Sequence, residues 1–427
     1  MIIVLTKKIT ARLNYVCHFI LKEQLGLDYS ITTNLDDNED SADTIINYSN
    51  KELSKNAFTL RPHSLLFENS IENQQIDIFY TNGQPSFFKI SNSDSTFDIF
   101  AAIFYLISRY EEYLPHQKDQ YGRYAHENSI AFKNNFLNKP LVNIWIDEFA
   151  KNLKNKFPEI VYFRPSFHTS ISYDIDIAWS YKNKGFFRNV GGFIKSPSMN
   201  RIKVLLGKMK DPFDCDNFLD ECHQKKQLSI IYFFLVAAKK GLFDKNISPK
   251  NDQYKKLISQ KATKYNIGLH PSWQSNFEKD ILLKEKRTLE SITEKKTISS
   301  RQHYIKFSLP ETFRELIKAG IQNDFSMGYG SINGFRGSAA SSFFWYDLQK
   351  ESISNLRLYP FCFMDANCHY EQKLTMEQSF QELDYYRKEC ENVNGLFIPI
   401  FHNNFLGTDP AFKGWRELYS QFISQLK

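Results

Sequence analysis

The segment TSISYDID, residues 169–176, carries the strongest structural and chemical signal in this sequence. Its first five residues are β-branched, small or aromatic, and they predict a strand over Thr169–Tyr173. Asp174 and Asp176 follow where the strand ends, and side chains two residues apart on an extended chain point the same way. Two carboxylates on one side repel each other unless a metal or another cation lies between them. The segment therefore predicts a strand that ends in a cation site.

Short apolar runs continue to alternate with helical segments after Pro165. This pattern is typical of repeated βα units around a parallel sheet. Six runs qualify as strands, and with room for one more they predict an α/β fold with a (β/α) barrel. Besides the first, these runs are Ser229–Ala237, Asn266–Leu269, Thr297–Tyr304, Leu358–Met364 and Leu396–Phe401.

The first 160 or so residues show a different pattern of strand and helix signals and predict a smaller α/β domain. A short strand at Ile2–Leu5 precedes a helical stretch at Ala11–Gln24. Two further helices, Phe97–Tyr113 and Val142–Phe157, each stop at a proline. The sequence therefore divides into domains 1–164 and 165–427.

Composition excludes several classes of protein. The chain has 427 residues, 42% of them hydrophobic, which is ample for two cores, and a net charge of 54 − 48 = +6, too small for a dedicated nucleic-acid binder. The longest apolar run, Ile99–Ile107, is too short to span a bilayer. Six cysteines without a Cys-x-x-Cys spacing, and an apolar start that precedes Lys7, favour a soluble protein in the cytoplasm.

Polar residues follow several of the predicted strands, where the active face of a parallel α/β fold lies. His270 lies in GLHPSW, residues 268–273, Arg301 and His303 lie in the fourth run, and His402 follows the last. An Asp and two His at strand ends suit metal-assisted hydrolysis, with an arginine to orient a carboxylate and another histidine to move protons. Each also has a structural interpretation, and for His303 a satisfied core histidine is the simpler one.

From Arg164 onward the chain resembles polysaccharide deacetylases of the NodB-homology type (carbohydrate esterase family 4), in the branch that has an extra amino-terminal domain. The resemblance rests on the residues above, on DFSMGY at 324–329 and, in the first domain, on SRYEEY at 108–113. It implies a deformed (β/α) barrel of about seven strands. It also implies a divalent metal, usually zinc, and a carbohydrate substrate from which an N-acetyl group of an amino sugar is removed.

The same resemblance implies four catalytic roles. Asp174 corresponds to the general base and Arg301 to the arginine that orients it. Asp324 corresponds to the acidic partner of that arginine, and His402 to the late histidine that protonates the leaving amine.

Two metal ligands are implied in the same way, Asp176 and His270. The family's motif has a second histidine four residues after the first, but that position is Gln274, whose amide is a poor zinc ligand. His303 is therefore the predicted replacement, and Ser272 or water could fill another position.

The leading hypothesis is a metal-dependent deacetylase that acts on an intermediate of a surface or capsular polysaccharide pathway. Gln274 motivates a first alternative, a glycan-binding relative without catalysis. A second alternative is a glycoside hydrolase that uses two carboxylates such as Asp174 and Asp365. Arg336 and Asp365 are predicted either to line the pocket or to form structural ion pairs.

Residues 182–210 contain eight Lys or Arg and no Asp or Glu, interleaved with apolar side chains. One interpretation is a basic amphipathic insertion that lies on an anionic membrane surface and receives a lipid-linked glycan precursor. The default interpretation is a solvated excursion that packs its apolar side on the barrel.

Overall fold

A computed structural model describes residues 1–34, 44–53, 56–224, 226–239 and 241–426. Up to residue 167, the strands are β1 (Ile2–Thr6), β2 (Tyr29–Thr32), β3 (Thr44–Tyr48), β4 (Ala57–Thr59), β5 (Phe79–Thr81) and β6 (Gln84–Ser86). The α-helices of this part are α1 (Ala11–Cys17), α2 (Ile99–Ile107), α3 (Ile130–Lys133) and α4 (Leu141–Lys156).

From residue 168 onward, the strands are β7 (His168–Ile175), β8 (Ser229–Phe234), β9 (Asn266–Leu269), β10 (Ser299–Ser300), β11 (Asn323–Asp324), β12 (Phe343–Asp347), β13 (Ser352–Leu358), β14 (Leu396–Phe397) and β15 (Ile400–His402). The α-helices are α5 (Phe186–Lys195), α6 (Met199–Leu205), α7 (Asp216–His223), α8 (Asp252–Lys264), α9 (Lys279–Thr293), α10 (Glu311–Lys318), α11 (Met376–Asn392) and α12 (Trp415–Gln425). No helix of the described ranges is both long and apolar enough to cross a membrane.

The chain forms two compact units whose limits differ from the division drawn from sequence at residue 164. The first unit holds Met1–His168 together with two later pieces, Gly334–Pro360 and Lys388–Leu396. The second holds the remainder, from Thr169 to Asn333, from Phe361 to Arg387 and from Phe397 onward.

The first unit is built on a parallel sheet in the order β2-β1-β3-β4. All five residues of β1 are buried, as expected for a central strand of a sheet covered on both faces. Helix α2 is buried along its whole length, and the Asp98 carboxylate caps it by accepting from the Ala101 N–H. The later pieces add β12 and β13, which pair as an antiparallel hairpin.

The second unit holds a run of parallel strands in the order β15-β7-β8-β9-β10-β11. At the ends of this run Met364 forms a single parallel bridge with Ile400, and the Phe361 N–H donates to the Met327 carbonyl at 3.0 Å. The mixed α/β class is as expected, whereas a closed seven-stranded barrel stays a prediction.

The predicted strand Thr297–Tyr304 is wrong for most of its length. Only Ser299 and Ser300 are in the ladder, and the chain then leaves it, with left-handed backbone at Tyr304 (φ 60°) and Ile305 (φ 53°). Backbone hydrogen bonds from this stretch go to neighbouring loops instead, such as the one from the His303 N–H to the Pro271 carbonyl. The turn therefore presents His303 at the carboxyl edge of the sheet, where parallel α/β folds place their sites.

Candidate metal centre

Strand β7 brings the two predicted aspartates to the carboxyl edge of the second unit's sheet. Asp174 is buried, and its Oδ1 accepts a hydrogen bond from Arg301 Nη1 at 2.8 Å. Arg301 is itself fixed, because its Nε donates to the Phe325 carbonyl at 3.0 Å. Asp174 is also the direct cross-strand partner of His402 on β15. The carboxylate is therefore held in one orientation by a buried guanidinium.

The three predicted metal ligands lie together. The ligand atoms of Asp176, His270 and His303 are all within 4.8 Å of one another. His270 Nε2 is 3.0 Å from Asp176 Oδ1, and His303 Nε2 is 3.6 Å from Asp176 Oδ2. Both imidazoles are buried, whereas the Asp176 side chain is 28% exposed, so that the group opens toward solvent at the carboxylate.

The hydrogen bonds of the two imidazoles determine which nitrogen faces Asp176. His270 Nδ1 donates to the Arg301 carbonyl at 2.5 Å, and His303 Nδ1 donates to Asp244 Oδ1 at 3.0 Å. In the neutral tautomers the Nε2 lone pairs therefore point at the Asp176 carboxylate. Acceptors that face each other in a buried position require a cation or a proton between them. Two imidazole nitrogens and one carboxylate oxygen form a donor set that suits zinc.

The charges of this group support the same conclusion. Four carboxylates, those of Asp174, Asp176, Asp244 and Asp365, lie around it in the described chain, and Arg301 is the permanent positive charge among them. With neutral imidazoles, the four carboxylates and the one guanidinium give this group a net charge of −3. A divalent cation offsets most of this surplus, and protonation of imidazoles is the alternative.

The pKa shifts follow from this surplus. Burial favours the neutral form of Asp176, but the imidazoles of His303, His270 and His402 outweigh burial and hold the pKa of Asp176 well below its usual range. Burial also opposes a charged imidazole at His303, yet Asp176 and Asp244 raise the pKa of His303 to about 9. Without a metal the site therefore attracts protons, which a metal would have to displace.

His402 is held by a buried carboxylate at the end of β15. Its Nδ1 lies 2.6 Å from Asp365 Oδ1, and its backbone N–H donates to Asp365 Oδ2 at 2.7 Å. The opposite nitrogen, Nε2, faces Asp176 Oδ2 at 3.7 Å. Burial lowers the pKa of His402, but Asp365, Asp176 and Asp174 together raise it to about 10. Without a metal, these carboxylates therefore favour the protonated form of His402, whose Nε2 side can donate a proton into the site.

Asp324 does not form the pair with Arg301 that the family resemblance implies. Its carboxylate accepts hydrogen bonds from the Ser300 hydroxyl at 2.8 Å and from the Ser326 hydroxyl and N–H at 3.1 and 2.9 Å. Burial raises the pKa of Asp324 to about 6. The flanking serines satisfy the carboxylate, so its influence on Arg301 is electrostatic.

Gln274 takes the place of the family's second histidine, and its side chain lies beside Gly241. Its amide nitrogen lies against Gly241, where an added Cβ would meet it at 2.7 Å. Ser272 is buried, and its N–H donates to Glu285 at 3.0 Å, which fixes the loop after His270. Of the proposed replacements for the missing ligand, the structure places His303 beside Asp176.

Asp244 was not predicted from the sequence, whereas Asp365 and Arg336 both form ion pairs, the second of the two alternatives predicted for them. Asp244 lies in the loop after β8 and orients His303, and nothing in the sequence around it resembles a motif. Asp365 is buried and holds His402 through its carboxylate. Arg336 belongs to the first unit, where it pairs with Glu112 at 2.7 Å.

Comparisons with known proteins are distant. Residues 2–158 match a family model described as a family of unknown function, DUF7033. No curated protein matches the sequence.

Similar solved structures include a protein from Mycobacterium smegmatis assigned as a polysaccharide deacetylase, with 10% identity, 61% of this chain and 85% of the other covered, and a TM-score of 0.40. A protein from Pseudomonas aeruginosa PAO1 with the same assignment has 12% identity, coverages of 60% and 84%, and a TM-score of 0.39. The Puue allantoinase has 11% identity, coverages of 60% and 83%, and a TM-score of 0.38. This chain is thus similar, at low identity, to deacetylase-type and allantoinase structures.

Proposed function

We propose that this protein is a metal-dependent hydrolase that removes an N-acetyl group from an amino sugar of a polysaccharide or glycan precursor. One observation carries the proposal: the Nε2 atoms of His270 and His303 converge on the carboxylate of Asp176. A carboxylate held by Arg301 and an imidazole held by Asp365 lie beside this group. A hydrolytic site needs such a base and such an acid around one electrophile.

Asp176, His270 and His303 would hold a divalent metal, and zinc is the metal that this donor set suits best. When bound, such a metal supplies a Lewis acid that polarises the acetyl carbonyl. Asp244 and the Arg301 carbonyl keep the two imidazoles in the tautomer that a ligand requires.

Asp174 would be the general base. Its Oδ1 is occupied by Arg301, and its Oδ2 lies 3.8 Å from His270 Nε2, on the side of the proposed metal. This oxygen can take the proton of the attacking water. Arg301 holds the carboxylate in this orientation through the hydrogen bond from Nη1 to Oδ1.

His402 would be the general acid. Its Nε2 faces the proposed metal group while Asp365 holds Nδ1, so the proton that leaves is the one on the substrate side. Donation of this proton to the departing amine makes cleavage of the C–N bond feasible at neutral pH. Asp174 and His402 are paired across β7 and β15, so base and acid are positioned by one pair of strands.

We also propose that the strands of the second unit close into the NodB-like barrel. The backbone contact between Phe361 and Met327 and the bridge between Met364 and Ile400 support closure.

The test is to incubate the full chain with N-acetylated oligosaccharides and to follow acetate release, chain length and chelator sensitivity together. We expect acetate release that a chelator stops and that His303→Asn abolishes. His168→Asn, a change at an exposed histidine, should have no effect. Chain shortening in the presence of chelator, without acetate, would replace the proposal by a glycoside hydrolase. Oligosaccharide binding without metal or acetate release would favour the non-catalytic alternative.

A further inference from the structure

The basic segment, residues 182–210, exposes most of the apolar side chains that the default interpretation packs on the barrel. Helix α5 carries Phe186, Phe187, Val190, Phe193 and Ile194, spaced as one face of a helix. Their exposed fractions are 76%, 88%, 40%, 36% and 76%. The default interpretation from sequence is therefore wrong for this helix.

Helix α6 and the residue after it extend the exposed apolar surface. Met199, Leu205 and Leu206 are 66%, 49% and 64% exposed, whereas Val204 is buried. The basic segment thus presents eight large apolar side chains to solvent. An exposed apolar patch of this kind marks a surface that binds another molecule or a membrane.

The polar side of α5 faces the protein. Asn189 is buried and donates to the Tyr181 and Gly185 carbonyls at 3.1 Å each. Arg188 donates to the Lys245 carbonyl at 2.8 Å and the Asn246 carbonyl at 3.4 Å. An amphipathic helix on the surface of a soluble protein has the reverse orientation, with its apolar face packed against the protein core. These hydrogen bonds therefore hold α5 with its apolar face toward solvent.

The charge of the basic segment has one sign. It holds eight Lys or Arg and no Asp or Glu. Lys195, Lys203 and Lys208 are exposed, and no carboxylate of the described residues lies within ion-pair distance of them. Lysine ammonium groups beside an exposed apolar surface complement a partner whose surface is anionic and whose interior is apolar.

We propose that the basic segment docks this protein on the surface of an anionic lipid bilayer. The apolar side chains of α5 and α6 would enter the boundary between headgroups and acyl chains, and the lysines would contact the anionic headgroups. A phenylalanine such as Phe187, which is 88% exposed, gains most from leaving water.

The basic segment begins shortly after the strand end that carries Asp176. Asp211 is buried and accepts hydrogen bonds from the backbone N–H groups of Ser180, Tyr181 and Lys182, which tie the start of the segment to its end. This start lies a few residues after Asp176. Docking would therefore favour glycan substrates presented at a membrane surface. This last step rests on the proposed function, whereas lipid binding does not.

The experiment is flotation of the full chain with vesicles of phosphatidylcholine alone or mixed with phosphatidylglycerol. We expect binding to the mixed vesicles, weakened by salt, and much less binding to phosphatidylcholine alone. The double variant Phe186→Ser/Phe187→Ser should lower the affinity by about tenfold or more. Lys195→Glu/Lys203→Glu should lower binding to the mixed vesicles selectively. Phe163→Ser, at a phenylalanine 73% exposed outside the segment, is the matched control and should bind as the wild type does.

The proposal would be overturned if the chain did not float with the mixed vesicles, or if the Phe186→Ser/Phe187→Ser variant floated as well as the wild type. Sedimentation of the same proteins without lipid tests a second copy as the occupant. A dimer that the double variant abolishes, with no lipid binding, would assign the surface to self-association. Acetate release is measured separately, so failure of lipid binding and failure of the proposed chemistry are distinguishable.

Discussion

Both units bury charged side chains, but they balance the charge differently. In the first unit Glu112 lies between Arg109 and Arg336, at 2.7 Å from each. Arg109 also binds Glu111 at 2.8 Å, so two arginines meet two glutamates. In the second unit carboxylates and imidazole lone pairs face one another with a surplus of negative charge.

This contrast separates a structural ion cluster from a site. The first cluster is neutral and uses its carboxylate oxygens within the protein, since Glu112 accepts from Nε of both arginines and from Nη2 of Arg336. The first cluster therefore needs no added ion to balance its charge. The second group is stable only with an added cation or added protons, and Asp176 gives it access to solvent. Unbalanced buried charge therefore points to function, whereas balanced buried charge points to folding.

The largest expected effect is on turnover. Asp174→Asn should lower the rate of acetate release by about 10²–10⁴-fold, because it removes the base while the metal ligands remain. Acetate release and metal content are measured on the same preparation. A variant with near-normal turnover would remove Asp174 from catalysis, and one that also loses its metal would make Asp174 a ligand.

The next effect is on folding of the first unit. Glu112→Gln leaves Arg109 and Arg336 buried without their shared carboxylate, and should lower the free energy of unfolding by about 3–5 kcal/mol. Denaturant unfolding measures this loss, and Glu127→Gln, at a glutamate 62% exposed, is the matched control. Metal content should not change in either variant. Loss of metal in Glu112→Gln would contradict the contrast between the two clusters.

The same carboxylate predicts how stability depends on pH. Burial disfavours the ionised form, but Arg336 and Arg109 outweigh it and lower the pKa of Glu112 from 4.5 to about 2. A carboxylate with a lowered folded pKa stabilises fully above its unfolded pKa and loses that contribution as the pH falls through the folded value. We expect about 3 kcal/mol to be lost between pH 4.5 and 2. Unfolding of Glu112→Gln should lack this component. An equal loss in wild type and variant would assign it to other groups.

The smallest expected effect is on zinc affinity and concerns Asp244, the hydrogen-bond partner of His303. Asp244→Asn removes the carboxylate that orients the imidazole, and should weaken zinc affinity by about 10–100-fold. Competition with a chromogenic chelator measures the affinity. Asp252→Asn, at an aspartate 92% exposed, should bind zinc as the wild type does. Unchanged affinity in Asp244→Asn would leave His303 outside the metal group.

The sequence predicts those parts of the site that depend on one strand. The spacing of Asp174 and Asp176 places them on one side of an extended chain, and β7 has that geometry. Thr169–Tyr173 and Asn266–Leu269 are likewise strands, as predicted.

The parts that the sequence does not predict depend on contacts between distant segments. His303 reaches Asp176 because the chain turns left-handed at Tyr304, where the run Thr297–Tyr304 had favoured a strand. Arg336 belongs with Glu112, which is 224 residues away, so no local pattern assigns it to the first unit. The apolar face of the basic segment is outward because Arg188 and Asn189 are anchored inward, and helical periodicity alone does not determine which face is covered.

The most direct test of the central claim is the metal content of the purified full chain, measured by elemental analysis after any affinity tag is removed. The account predicts about one divalent ion per chain, zinc foremost, in the wild type and in Asp252→Asn, and none in Asp176→Asn. No metal in a folded wild type after reconstitution with zinc, or equal metal in Asp176→Asn, would contradict it.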